Sequence, residues 1–134
     1  MIPIYDVFGD HLSSEDIKGL TEGHKIVVLP LAFMRGVTFK KAFVLLDEAQ
    51  NSTITQMHLF LTRIGQGSKV VITGDPAQSD LGPRNGFVDA LDRLQGVVGM
   101  DFIELDPNEV VRHPIIQSID ERYRKEKGFV AKNA

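Results

Sequence analysis

Apolar positions in this chain alternate between short continuous runs and helical spacings. Lys25-Ile26-Val27-Val28-Leu29-Pro30 predicts a short strand stopped by proline, which cannot donate to a ladder. Ala42 to Leu46 predicts a second strand, Lys69-Val70-Val71-Ile72-Thr73 a third and Asp101 to Leu105 a fourth. The unbroken apolar run of Ala42 to Leu46 suits a strand covered on both faces, as in parallel sheets. Ser13 and Ser14, ahead of Glu15, Asp16, Ile17 and Leu20, predict a capped short helix ending near Gly19 to Gly23. Asn51 or Ser52 is placed to cap a helix reaching about Ile64, with Ile54, Met57, Phe60, Leu61 and Ile64 on one face. A further helix is expected from Gly86 to Leu94, with Phe87, Leu91 and Leu94 inward. Pro114 suits the first position of a last helix carrying Ile115, Ile116, Ile119 and Tyr123. Strands alternating with helices predict an α/β fold with a mostly parallel sheet and right-handed crossovers.

At 134 residues the length suits one domain, expected over 1–128, with a basic tail from Arg122 to Ala134 that frays over 129–134. A net charge of −3 gives no global basic field, so nucleic-acid binding would need a local patch. The absence of cysteine excludes a disulfide scaffold, a cysteine zinc site and a thiol nucleophile. His11, His24, His58 and His113 lack ligand-like spacing, so no structural metal is expected. No apolar run approaches ~20 residues and no signal peptide opens the sequence, which makes the cytoplasm the expected compartment and a membrane partner unexpected.

The chemistry concentrates in Phe43-Val44-Leu45-Leu46-Asp47-Glu48-Ala49-Gln50. Carboxylates at the C-terminal end of a buried strand stand where ligands of open α/β sheets collect. Asp47 is placed to hold Mg²⁺ through water, and Glu48 to orient a water against a γ-phosphate; this is the layout of a Walker B element. The same pair could instead cap the following helix. Gly74-Asp75-Pro76-Ala77-Gln78 closes the next strand, so its loop should lie beside the first, where Gln78 can reach a γ-phosphate oxygen or the attacking water. The Gly-Asp-Pro run is otherwise an ordinary turn. No G-x-x-x-x-G-K-[ST] phosphate loop occurs among the 12 glycines.

Asp47-Glu48-Ala49-Gln50 and Gly74-Asp75 with Gln78 resemble motifs II and III of the superfamily-one helicase core. The wider set resembles the PhoH family: Leu31 to Thr38, Leu45 to Asn51, Phe60 to Gly65, Val71 to Asp75 with Gln78, Asp80-Leu81, and Val110-Val111-Arg112-His113-Pro114. The likeness runs from about Pro3-Ile4-Tyr5-Asp6 to Tyr123. It implies a three-layer RecA-like P-loop ATPase that uses ATP and Mg²⁺, assembles into rings, and is linked to phosphate starvation by name and to RNA metabolism by association. Within it Asp47 would hold the metal, Glu48 orient water and Gln78 sense the γ-phosphate. Asp75 would order the Gln78 loop and Arg112 offset transition-state charge. The family's Walker A lies upstream of the stretch that Tyr5-Asp6 matches, so the chain is expected to be either a fragment or a product without the phosphate cradle. Weak ATP hydrolysis by this chain alone follows.

Other positions carry paired readings. Gln50 is a candidate nucleotide contact or a tie joining Asn51 and Ser52 to the helix start. Arg35 and Thr38 are candidates for single-stranded RNA, with a surface arginine bonded to carbonyls as the alternative. Arg112 could instead pair with Asp106 or Glu109, and Arg63 should oppose a helix dipole. The alternative function is a non-catalytic module that binds RNA or a ring partner.

Overall fold

The first unit of the chain, Met1–Val98, runs in the order α1 (Ile2–His11), α2 (Ser14–Glu22), β1 (Phe43–Leu46), α3 (Ile54–Leu61), β2 (Lys69–Ile72) and α4 (Gly86–Arg93). Single 3-10 turns stand at Leu31–Phe33, Ala49–Asn51 and Pro76–Gln78. The second unit is Gly99–Ala134. This computed structural model describes residues 2–105 together with 115, 116, 118, 119 and 122.

Local chemistry sets the helix starts. At α2, Ser13 Oγ accepts from Asp16 N at 3.1 Å while Asp16 Oδ2 accepts from Ser13 N at 3.3 Å, a capping box. At α3 the box is Thr53 with Gln56, which moves the cap one residue past the expected Ser52. Ser52 is buried instead, its hydroxyl donating to Ala49 O at 2.6 Å. At α4, Asn85 Oδ1 accepts from both Phe87 N and Val88 N. A helix over Ile2–His11 was not expected from the pattern; Tyr5 and Phe8 meet edge-on one turn apart on it, with ring centroids 6.5 Å apart.

β1 and β2 pair in parallel, with Leu45 opposite Val71 and Leu46 opposite Ile72. A period of two sends Val44, Leu46, Val70 and Ile72 to one face. There they pack on buried Met34, Ala49, Met57 and Phe60, with Phe87 and Ala90 from α4. Burial of Met57 and Phe60 is worth about 1.5–3 kcal/mol each. α3 packs on α4, and α4 on the Ala49–Asn51 turn. The opposite sheet face is open: Phe43 is 72% exposed, and Leu45 and Val71 are exposed beside it.

Two expected strands are not formed. Residues 25–30 form no strand, with Val27 66% exposed, and residues 101–105 form none, with Ile103 86% exposed. β-branched residues make a strand only when a neighbouring strand answers their N–H and C=O groups in a ladder, whereas Lys25 N and Ile26 N donate to Leu20 O at the end of α2. Ile54 and Ile64 are exposed rather than inward. α3 ends at Leu61 with Thr62 as its C-cap, so Arg63 lies beyond the helix it was expected to terminate. In the second unit Ile115, Ile116, Ser118, Ile119 and Arg122 are helical, as expected; Pro114, Tyr123 and the rest of the basic tail lie outside the described residues. Among the described residues no helix is long and apolar enough to cross a membrane.

Candidate functional site

Parallel pairing brings the C-terminal ends of β1 and β2 side by side, so the residues after Leu46 face those after Ile72. Thr73 N donates to Leu46 O, and Ala49 N donates to Thr73 O, both at 2.9 Å. Asp47 stands in this seam. Its Oδ1 accepts from Thr73 Oγ1 at 2.7 Å and from Glu48 N at 3.0 Å. Its Oδ2 accepts no hydrogen bond among the described residues, and the side chain is exposed.

Glu48 adopts the left-handed region, φ 54° and ψ 39°, which costs a non-glycine residue about 1–2 kcal/mol. Two contacts offset that cost: the Ala49–Thr73 backbone bond, and Gln50 Nε2, which donates to Glu48 Oε2 at 2.6 Å. Gln50 is 1% exposed. Its Oε1 accepts from Asp75 N at 3.1 Å, and its backbone O accepts from Ser79 Oγ at 2.9 Å. Gly74 lies against this amide: a Cβ there would be 3.0 Å from Gln50 Oε1 and from the Phe87 ring, so a side chain would press on both. Asp75 then caps the short turn, its Oδ1 accepting from Ala77 N at 2.9 Å and its Oδ2 from Gln78 Nε2 at 2.7 Å. Asn51 Oδ1 accepts from Asp80 N at 3.0 Å and ties the next residues to the same turn.

These groups fit a magnesium–phosphate ligand as a partial donor set. Mg²⁺ keeps several waters and is usually held by one or two carboxylates together with substrate phosphates, which the free edge of Asp47 suits. An all-protein cage is a different arrangement, and no group of three or more His, Asp or Glu able to hold a metal occurs among the described residues.

The family model for PhoH-like protein matches residues 1–124. A PhoH-like protein of Bacillus subtilis (strain 168) is 48% identical over 126 residues, covering 92% of this chain and 40% of its own length. One from Synechocystis is 45% identical over 125 residues (92% and 38%), and Protein PhoH of Escherichia coli (strain K12) is 38% identical over 119 residues (86% and 34%). The chain belongs to the PhoH-like protein family. It spans 34–40% of the length of these curated relatives. Its helices on a small parallel sheet are a partial α/β RecA-like fold, and the family is one of P-loop NTPases.

Of the residues singled out in the sequence, Asp47, Glu48, Gln50, Asp75 and Gln78 share one connected cluster. Arg35 and Thr38 do not join it. They are exposed in the segment after the Leu31–Phe33 turn, not after a strand as expected, and Gly36 beside Arg35 takes φ 81°. Arg112 lies outside the described residues. Thr73, Ser79 and Asn51 were missed as supports of this PhoH-like site. Thr73 had a signal, a hydroxyl at the last position of an apolar strand; the others had none without the pairing of the loops.

Proposed function

We propose that this chain carries the Walker B and Gly-Asp-x-x-Gln part of a PhoH-like ATP-hydrolysing protein. The observation that carries the reading is that Asp47, Glu48 and Gln78 stand on adjacent loops joined through Gln50 and Asp75. In this reading Asp47 presents Oδ2 to the shell of a Mg²⁺ ion, with Thr73 fixing the other oxygen. Glu48 accepts a hydrogen bond from the attacking water and orients it, and Gln78 donates to a γ-phosphate oxygen. Asp75 orders the Gln78 turn, and Arg112 offsets charge that develops in the transition state. The bound metal would supply charge neutralisation between phosphates.

The cradle of backbone N–H groups and the lysine of a phosphate loop contribute much of ATP binding, and this sequence contains no such loop. The 134-residue chain alone is therefore expected to turn ATP over poorly. The test grafts this chain in place of the matched region of the Bacillus subtilis relative. Turnover is expected, falling at least about 100-fold in Glu48→Gln. A graft equally active with that change would remove the reading.

A second observation favours RNA association. Between Gly23 and Gly74 the only acids are Asp47 and Glu48, against six cations: Lys25, Arg35, Lys40, Lys41, Arg63 and Lys69. The ion pairs among the described residues are Lys18–Glu22 and Arg93–Asp89, so none of the six is neutralised. An unpaired field of that sign suits a single-stranded polyanion, with Arg35 and Thr38 as phosphate contacts. Binding to single-stranded RNA should weaken steeply with salt, and Arg35→Ala should reduce it while Glu48→Gln leaves it unchanged. The open sheet face at Phe43, Leu45 and Val71 is the surface that a ring neighbour, or the rest of a longer chain, would cover.

A further inference from the structure

Both polar atoms of the Gln50 side chain are engaged, the oxygen by Asp75 N and the nitrogen by Glu48 Oε2. Its chemistry fixes the amide's orientation: the oxygen must face the Asp75 N–H, and the nitrogen must face the Glu48 carboxylate. Few side chains can do both. Glutamate cannot donate to Glu48, and asparagine is one methylene too short to span the same two partners. Burial to 1% exposure removes competition from water and strengthens both bonds, while Gly74 and the Phe87 ring leave the amide no slack. A continuous path results: Gln78 to the Asp75 carboxylate, Asp75 N–H to Gln50, and Gln50 to Glu48.

We propose that Gln50 is a positioning residue that couples Glu48 to the Gly74–Gln78 loop, so that the water-orienting carboxylate and the phosphate-facing glutamine move as one body. Its meaning for hydrolysis rests on the roles of Glu48 and Gln78 given above, but the coupling itself is testable without nucleotide. A change at Glu48 must then be felt at the Asp75 amide, which Glu48 does not touch.

The experiment measures amide hydrogen-exchange protection by NMR in the chain as it stands and in three variants. In Glu48→Ala, an exposed position, Asp75 protection is expected to fall about 2- to 10-fold, the worth of one net hydrogen bond. The Thr73 amide, bonded to Leu46 O, should keep its protection and so reports an intact sheet. Gln50→Glu should lower Asp75 protection at neutral pH, where two carboxylates face each other. Gln50→Asn, too short to reach both partners, should lower it as well. Unchanged Asp75 protection in Glu48→Ala would overturn the proposal and leave Gln50 as a plug under the loop. A clasp present in these spectra with no Glu48-dependent hydrolysis in the graft would instead sink the ATPase reading alone.

Discussion

The two ends of the β1–β2 pair are built by different means. At the C-terminal end side chains hold the loops: Thr73 to Asp47, Gln50 to Glu48 and to Asp75 N, Ser79 to Gln50 O. At the N-terminal end the holding is mostly backbone. Phe39 N donates to Arg63 O at 2.8 Å, Lys41 N to Gln66 O at 3.1 Å and Lys69 N to Ala42 O at 2.9 Å. Only Ser68 adds a side chain, receiving Ala42 N and donating to Phe39 O. The first end is acidic and its side chains are tied in defined directions; the second carries Lys40, Lys41, Arg63 and Lys69 with no ion pair. Side-chain stitching sets groups at defined angles, which chemistry requires. Backbone stitching only closes a loop and leaves the exposed Lys40, Lys41 and Lys69 to solvent or to a partner, while Arg63 is half-buried with an unbonded Nε.

Glycine substitutions should break this contrast with the largest effect. A Cβ at Gly65 would meet the Phe39 carbonyl oxygen, and one at Gly86 the Thr53 carbonyl oxygen, both rigid backbone. Gly65→Ala and Gly86→Ala should each cost about 1–3 kcal/mol in urea unfolding, read as a lower midpoint at constant slope. Gly74→Ala meets side-chain atoms at 3.0 Å instead, so it should cost less stability. It should nevertheless lower Asp75 amide protection, because it presses on the Gln50 amide, whereas Gly65→Ala should leave that amide alone. Equal losses at Asp75 from Gly65→Ala and Gly74→Ala would mean that the ends are not separately built.

Much of the stitched end was legible in the sequence, because its parts are strand-terminal. An apolar run ending in Asp47-Glu48 and another ending in Gly74-Asp75 announce their own position, and parallel pairing does the rest. The capping of α2 by Ser13 was equally local. What failed was non-local. Ile26 to Leu29 and Phe102 to Leu105 have strand composition, but a strand is a relation between two segments, and composition names only one of them. The Thr53 cap displaced Ser52 because Ser52 is drawn into the turn by Ala49 O, a contact set by the Ala49–Asn51 geometry. Gln50 was legible as important, but its two partners lie on different loops and only folding joins them.

A smaller effect sharpens the acidic end. Thr73→Val keeps the shape of the side chain and removes the donor to Asp47 Oδ1. The expected loss is about 1 kcal/mol, with Thr73→Ser close to the parent, because the net worth of one hydrogen bond is of that size. In the Bacillus subtilis graft, Thr73→Val should also raise the Mg²⁺ concentration needed for half-maximal turnover. An unchanged requirement would show that Asp47 is oriented without the hydroxyl.

The smallest stability effect belongs to the other end, and it is the more discriminating. Lys40, Lys41 and Lys69 are exposed and lack ion pairs among the described residues, so removing any one charge should move unfolding stability by less than about 0.5 kcal/mol. Lys40→Ala and Lys69→Ala should therefore unfold like the parent while reducing the salt dependence of RNA binding, each by about one unit of the log–log slope if the lysine meets a phosphate. The same substitutions should leave Asp75 amide protection untouched. A lysine variant that lowers stability by well over 1 kcal/mol would place that charge in the structural scaffold. One that leaves both stability and salt slope unchanged would confine the polyanion contacts to the Arg35 segment.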